Sequence, residues 1–213
     1  MDLTKPLLFL GTGGAMTTGT YLTKDYWMPS KEETSKSIRD SLEGKKLIST
    51  TLTGTALTKQ WEEEFESDSD AIKSLLNKSD LTKQTGGEAL SKWCDDQMSL
   101  DAKGNEGVLA KVEKYCLVRS VSSQLSRKGK NLLGKDNSNG WTTTYNKRKN
   151  ANSNRDVVGL TGGTTWTSVN EGDDISRVKT WCSENSEKDF LVSEQGNSSL
   201  YTNVLEWCTA SEG

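Results

Sequence analysis

The sequence contains four cysteines, and these are the residues best suited to chemistry. They are Cys94, Cys116, Cys182 and Cys208. Each follows an aromatic residue directly and stands four positions after an aliphatic one. A cysteine can act as a nucleophile, bind zinc or form a disulfide. Because the chain has no histidine and no C-x-x-C spacing, neither a zinc site nor a Cys-His nucleophile is expected.

The shared pattern, aliphatic-x-x-aromatic-Cys, predicts the apolar turn of an amphipathic helix, since residues at i, i+3 and i+4 share one helix face. Four such units predict four similar helices. Three of them extend the apolar face by another turn, through Leu109, Ile175 and Tyr201. The first unit has Gly87 at that position, so its helix is expected to begin after this glycine.

Turn signals lie midway between the cysteines of each consecutive pair. Gly104 and Asn105 lie between the first two cysteines, and Gly196 and Asn197 lie between the last two. Glycine and asparagine favour the left-handed conformation that ends a helix and starts a turn. Each pair of cysteines is therefore expected to lie level across a helical hairpin.

Level positions on antiparallel helices can bring two Cα atoms within the ~4.4–6.8 Å that a disulfide needs. Four cysteines allow three connectivities, and the hairpin spacing favours Cys94 with Cys116 and Cys182 with Cys208. Each bond would stabilise the fold by roughly 3 kcal/mol in the chain-entropy description. The alternative is that all four cysteines are reduced and pack as small core residues.

The length of 213 residues fits one large domain or two small ones. A hydrophobic fraction of 32% and a mean hydropathy of −0.70 indicate a modest core with much solvated surface. The net charge of −3 gives no broad attraction for nucleic acid or an anionic membrane. The two prolines are Pro6 and Pro29, and their absence afterwards favours an all-α fold.

Residues 1–29 are expected to form an N-terminal signal or anchor segment. Residues 6–22 carry no charge and reach the ~17 residues that can just cross a bilayer. Gly11, Ala15 and Gly19 form a small-xxx-small face typical of packed membrane helices. The alternatives are a signal peptide cleaved among the small residues, a buried strand with a Gly-rich turn, and a phosphate loop, although no βαβ pattern follows.

Two copies of one unit are predicted, at residues 30–119 and 120–213. The corresponding positions are Ser37 and Ser120, Ile38 and Val121, Leu42 and Leu125, and Trp61 and Trp141. Each copy is expected to contain a short helix, a tryptophan helix and a cysteine hairpin. The second copy differs at about residues 134–172, where Asn, Ser, Lys, Gly and Thr predominate and predict long polar loops.

Two charged stretches are expected to be solvated. Leu57, Trp61 and Phe65 form the apolar stripe of the first tryptophan helix, and the acidic run beside it lacks the glycine and distal glutamate of a calcium loop. That run contains Glu62, Glu63, Glu64 and Glu66. A small basic patch contains Lys147, Arg148, Lys149 and Arg155. Nucleic-acid binding would require more positive charge and interleaved aromatic residues on a folded face.

No catalytic, cofactor-binding or metal-binding residue stands out. The absence of histidine removes Ser-His-Asp and Cys-His catalysis and histidine-ligated metals. Because no catalytic signature is evident, the chain is not expected to be an enzyme. Neither nucleic acid nor a small-molecule ligand is expected as a partner. A hydrolase that uses carboxylates stays open as an alternative, and it would need a pocket with a strongly perturbed acid.

Several short motifs are similar to those of a known group of proteins. They are an N-terminal Lys-Pro with a Gly/Thr-rich apolar segment, a helix near Ile38 and Leu42, the lone Trp61, and the aromatic-Cys motifs that end at Cys94, Cys116, Cys182 and Cys208. Together they resemble the large paralogous families of uncharacterised proteins in haemotropic mycoplasmas. The resemblance implies a protein attached to or exported across the single membrane of a wall-less blood parasite, suspected of host contact or antigenic variation.

The leading expectation for function is a membrane-anchored or exported, outward-facing α-helical protein that contacts a host cell or host protein without catalysis. Residues 6–22 would provide the membrane attachment. A secreted protein results if that segment is cleaved. The main alternative is a soluble cytosolic helical scaffold with reduced cysteines, because disulfides persist only outside the reducing cytosol.

Overall fold

Helices make up the regular structure of residues 35–210, the part of the chain that this computed structural model describes. The α-helices in this range are α1 (Ile38–Ser41), α2 (Ile48–Thr51), α3 (Gly54–Ser67), α4 (Ser69–Leu76), α5 (Lys83–Gln97), α6 (Glu106–Tyr115), α7 (Val121–Arg127), α8 (Ser138–Asn150), α9 (Glu171–Asn185) and α10 (Ser199–Cys208). A 3-10 helix spans Asp156–Val158. These residues form isolated β-bridges but no strand, so the all-α prediction is confirmed for them. The expected anchor segment at residues 1–29 lies outside the described residues.

Serine side chains start the first short helix of each half. The Ser37 hydroxyl accepts a hydrogen bond from the backbone N–H of Asp40 at 3.1 Å, and the Asp40 carboxylate accepts one from the backbone N–H of Ser37 at 3.2 Å. At the start of α7, the Ser120 hydroxyl accepts from the backbone N–H of Ser123 at 3.2 Å. Such caps satisfy donors that the first turn leaves free, which explains why both helices begin directly after serine.

Each short helix is tied to the cysteine hairpin of its own half. The backbone N–H of Ile38 in α1 donates to the Leu100 carbonyl at 2.8 Å, and that of Val121 in α7 donates to the Lys188 carbonyl at 2.9 Å. Leu100 and Lys188 each lie shortly after the first cysteine of a hairpin. The short helices therefore dock at equivalent positions of the two hairpins.

A second backbone hydrogen bond ties the segment after each short helix to the end of the same hairpin. Ile48 donates to the carbonyl of Cys116 at 3.0 Å, and Leu133 donates to the carbonyl of Cys208 at 2.8 Å. In both halves the acceptor is the second cysteine of the hairpin. Each disulfide is thus anchored to the backbone that precedes the tryptophan helix.

Two hydrophobic cores form, one in each half of the chain. The first contains fully buried aliphatic residues from five helices, namely Ile38, Ile48, Ile72, Leu90 and Val112. The second is built around Val121, Leu125, Val158, Val204 and Trp207. Every buried member of the first core precedes Arg119, and every buried member of the second follows it.

The prediction of long polar loops at about residues 134–172 is wrong for Ser138–Asn150, which form α8. Trp141, Thr144 and Tyr145 are buried, and their i, i+3 and i+4 spacing gives an otherwise polar helix a narrow face toward the core. The Asn137 side chain caps this helix by accepting a hydrogen bond from the backbone N–H of Gly140 at 3.0 Å. Residues 159–170 have no regular secondary structure.

The helix that carries Cys94 begins before Gly87, and the expectation that it starts after this glycine is wrong. Gly86 and Gly87 both lie inside α5, where they face α3. A Cβ atom on Gly87 would lie 2.8 Å from the backbone nitrogen of Glu62 and 2.9 Å from the carbonyl carbon of Trp61. The two glycines therefore allow α5 to pack closely against α3, and this packing offsets their low helix propensity.

Replacing Gly87 with alanine is expected to lower the free energy of unfolding by about 1–3 kcal/mol, because the new methyl group meets backbone that cannot rotate away. Gly107 in α6 provides the matched control, since a Cβ there meets nothing within 4 Å. Gly107→Ala should raise stability by up to ~1 kcal/mol through helix propensity. Urea denaturation of both variants measures the difference, and equal effects would contradict close packing at Gly87.

Candidate functional site

Disulfides join both pairs of cysteines within helical hairpins. Cys94 in α5 is bonded to Cys116, directly after α6, with their Cα atoms 5.8 Å apart. Cys182 in α9 is bonded to Cys208 at the end of α10, with a Cα distance of 5.6 Å. These are the pairs that the hairpin spacing favours, so the prediction of disulfide bonds is confirmed for the described structure.

The second disulfide lies in the wall of a cavity of about 220 Å³, named here the disulfide cavity. Trp141, Lys135 and Lys179 also line it. The Lys179 ammonium donates to the Lys135 carbonyl at 3.1 Å and lies 5.7 Å from the centre of the Trp141 ring. Cys182 is 5% exposed and Cys208 is fully buried, whereas Cys94 and Cys116 are each 1% exposed and line neither this cavity nor the one beside Trp61.

A small thiol is expected to reduce Cys182–Cys208 roughly tenfold faster than Cys94–Cys116 in the folded protein. Thiol–disulfide exchange requires a thiolate to reach one sulfur, and the disulfide cavity supplies both an approach and two lysines. Timed reduction with glutathione, followed by alkylation and peptide mass mapping, measures the order. In denaturant both bonds should open at similar rates. Faster reduction of Cys94–Cys116 in the folded protein would contradict the prediction.

Glu64 joins the two halves of the chain through a buried ion cluster. Its side chain in α3 is 1% exposed and forms ion pairs with Arg119 and Arg127. The Arg127 guanidinium donates to the Glu64 carboxylate at 2.8 Å and to the Ser67 hydroxyl at 3.2 Å. The prediction that the acidic run is a solvated face is therefore wrong at Glu64, and also at Glu62, which is 7% exposed.

Burial and charge act in opposite directions on the ionisable groups of this cluster. Burial raises the pKa of the Glu64 carboxyl, while the positive charges of Arg119 and Arg127 act to lower it. Burial lowers the pKa of the Arg119 guanidinium, and the charge of Glu64 acts to raise it. The Arg119 guanidinium also donates to the Lys114 carbonyl at 3.1 Å. The cluster is a structural ion pair with additional hydrogen bonds, the condition under which buried charges are tolerated.

Gln60 connects the same two halves one helical turn earlier in α3. Its side-chain amide donates to the Phe190 carbonyl at 3.2 Å and accepts from the backbone N–H of Val192 at 2.9 Å. Gln60 is 1% exposed. Its two hydrogen bonds pair buried backbone groups of the extended segment between α9 and α10. Sequence reasoning missed Gln60 and Glu64, although both lie next to the stripe of Leu57, Trp61 and Phe65 on the helix surface.

A second buried polar cluster holds the irregular segment of the second half. The Asp174 carboxylate accepts from the Tyr145 hydroxyl at 2.7 Å and from the Arg155 guanidinium at 2.6 Å. Arg155 also lies over the Trp166 ring, 5.3 Å from its centre. Burial, together with the hydrogen bond to Asp174, raises the pKa of the Tyr145 hydroxyl. Arg155 therefore belongs to the core, which corrects the prediction that it lies in a solvated basic patch.

The described residues contain no group of three or more His, Cys, Asp or Glu side chains placed to hold a metal ion. Glu64 has a raised carboxyl pKa, but it does not line the disulfide cavity or the cavity beside Trp61. The polar clusters around Glu64 and Asp174 thus hold structural elements together. The alternative of a carboxylate-dependent hydrolase gains no support from them.

Between residues 35 and 210, no helix combines the length and the apolar character needed to cross a bilayer. The segment proposed for membrane attachment, residues 6–22, lies outside these residues. Comparison with known proteins found no match to a family model, a curated protein or a solved structure.

Proposed function

We propose that the chain is an outward-facing interaction protein made of two copies of one disulfide-stapled helical unit, acting by surface contact rather than catalysis. The observation that carries this proposal is that both cysteine pairs form disulfides. Such bonds persist in oxidising compartments and are rare in a reducing cytosol. This chemistry supports a working site outside the cytosol.

Equivalent contacts support the proposal of two copies. Ile38 and Val121 start the short helices with the same backbone bond to their hairpins, and Ile48 and Leu133 bond to the second cysteine in each half. Each half also has its own hydrophobic core. A repeated unit that has its own hydrophobic core and its own disulfide is typical of chains built by duplication.

A role in contact rather than catalysis is supported by how the polar groups are used. The buried ion cluster of Glu64, Arg119 and Arg127 fastens the two copies, and the cluster of Asp174 fastens the segment after α8. This bracing leaves a rigid frame with an exposed polar surface. Such a frame suits presentation of variable side chains to a host cell or host protein, in line with the mycoplasma families that the sequence resembles.

Residues 1–29 would deliver this frame to the cell surface. An uncharged run at residues 6–22 flanked by charged residues fits either a retained anchor or a cleaved signal. In the first case the protein stays in the cell membrane, and in the second it is secreted.

Protease shaving of intact producing cells, combined with thiol labelling, tests the proposal. Peptides from residues 36–210 should be released by external protease, while those of a cytosolic marker protein stay intact. Alkylation under denaturing, non-reducing conditions should label none of the four cysteines. Four labelled cysteines in protein from the soluble fraction would overturn the proposal and favour the cytosolic scaffold.

A further inference from the structure

A hollow of about 440 Å³ opens between α3 and α5 and is named here the Trp61 hollow. Its apolar wall is formed by Leu57, Trp61 and Gly87. The volume falls within the ~300–1,000 Å³ typical of small-molecule sites. The close approach of the two helices at Gly87 fixes the shape of this wall.

The rim of the Trp61 hollow is acidic. It carries Glu88, Asp95 and Asp96, together with one cation, Lys92. The Lys92 ammonium lies 3.0 Å from the Asp96 carboxylate, so it offsets one of the three negative charges. The remaining charge favours a cation in the hollow. No metal-binding group of side chains occurs in the described part of the chain, which favours an organic cation over a metal ion.

The tryptophans of the two tryptophan helices differ in the hydrogen bonding of their indole N–H groups. Trp61 is 3% exposed, and its indole N–H has no hydrogen-bond partner within the described structure. In the second half, by contrast, the Trp141 indole N–H donates to the Gly134 carbonyl at 2.9 Å. The indole nitrogen of Trp61 is enclosed by protein atoms, so its N–H group is not presented to the hollow that the residue lines.

The disulfide cavity of the second half shares two positions of the hairpin register with the Trp61 hollow but carries the opposite charge. Ser91 and Lys179 each stand three residues before the first cysteine of a hairpin, and Asp95 and Ser183 each stand one residue after it. Each residue lines the cavity of its own half. The charged residues of the disulfide cavity are Lys135, Lys179 and Glu187. The two halves therefore present cavities that favour ligands of opposite charge.

We propose that the Trp61 hollow binds small organic cations that carry an apolar body. The apolar part packs against Leu57 and Trp61, and the ammonium group lies at the rim near Asp95 and Asp96. Apolar contact supplies affinity, and the carboxylates discriminate against neutral and anionic analogues of the same shape. This site is independent of the location of the protein and of the proposed host contact.

A matched series of ligands tests the proposal in the full-length, disulfide-intact protein. Phenethylamine, 2-phenylethanol and 3-phenylpropionate carry the same ring with a positive, neutral or negative group. The indole N–H signals in a nitrogen-15 NMR spectrum report binding, and Trp61→Phe and Trp141→Phe identify two of them. Phenethylamine should shift the Trp61 signal saturably, with an affinity about fivefold higher than that of the alcohol. Added salt should weaken binding of the amine.

The double variant Asp95→Asn/Asp96→Asn should weaken phenethylamine binding about fivefold and leave 2-phenylethanol binding unchanged. Asp70→Asn/Asp80→Asn is the control, because it removes the same charge at exposed positions that do not line the hollow. Equal affinities for amine and alcohol would overturn the proposal. An equal loss in the control variant, or no shift of the Trp61 signal with the amine, would overturn it as well.

Discussion

Replacing Glu64 with alanine is expected to lower the free energy of unfolding by about 3–5 kcal/mol. The change leaves two guanidinium groups, those of Arg119 and Arg127, in a junction where their side chains are only 8% and 13% exposed. A buried charge without its partner bears the full cost of leaving water. Equilibrium denaturation in urea without reductant measures the change in midpoint and slope.

Glu66 provides the control on the same helix. Its side chain is 48% exposed and pairs with Lys83, so Glu66→Ala should cost less than ~1 kcal/mol. A triple variant, Glu64→Leu/Arg119→Met/Arg127→Leu, removes all three charges together and should recover most of the stability lost in Glu64→Ala. A loss below ~1 kcal/mol in Glu64→Ala would show that water reaches the cluster and that the two halves are not fastened through it.

The hairpins were predictable from sequence because their determinants are local. An aliphatic residue, an aromatic residue and a cysteine within five positions specify a helix face, and the cysteine spacing about Gly104 and Gly196 specifies the register. Both disulfides follow from those two facts. The all-α class follows from the same periodicity and from the scarcity of proline.

The features that sequence reasoning missed depend on partners distant in the chain. Glu64 looks like one more solvated glutamate until Arg119 and Arg127 are brought beside it by folding. Gly87 reads as a helix breaker because the backbone of α3, which requires it, lies in another segment. The sequence of α8 is mostly polar, and Trp141 and Tyr145 give the helix only a narrow buried face. Its helical pattern was therefore easy to miss. Local pattern cannot reveal these packing constraints.

Removing either disulfide is expected to lower the free energy of unfolding by about 3 kcal/mol. The bonds close segments with sequence separations of 22 and 26 residues, and loop entropy changes little over that interval. The double variants Cys94→Ala/Cys116→Ala and Cys182→Ala/Cys208→Ala should therefore have similar entropic losses. Denaturant midpoints of both variants and of the oxidised parent protein measure them.

Any difference between the two double variants then reports packing around the sulfurs rather than loop entropy. Cys208 is fully buried next to Trp207, which stacks on Trp166 with ring centres 6.1 Å apart, so loss of sulfur there also disturbs an aromatic contact. Cys182→Ala/Cys208→Ala is expected to be the more destabilised of the two, by up to ~1 kcal/mol. Losses below ~1 kcal/mol in both variants would contradict the prediction and mean that the hairpins are held by their hydrophobic cores rather than by the disulfides.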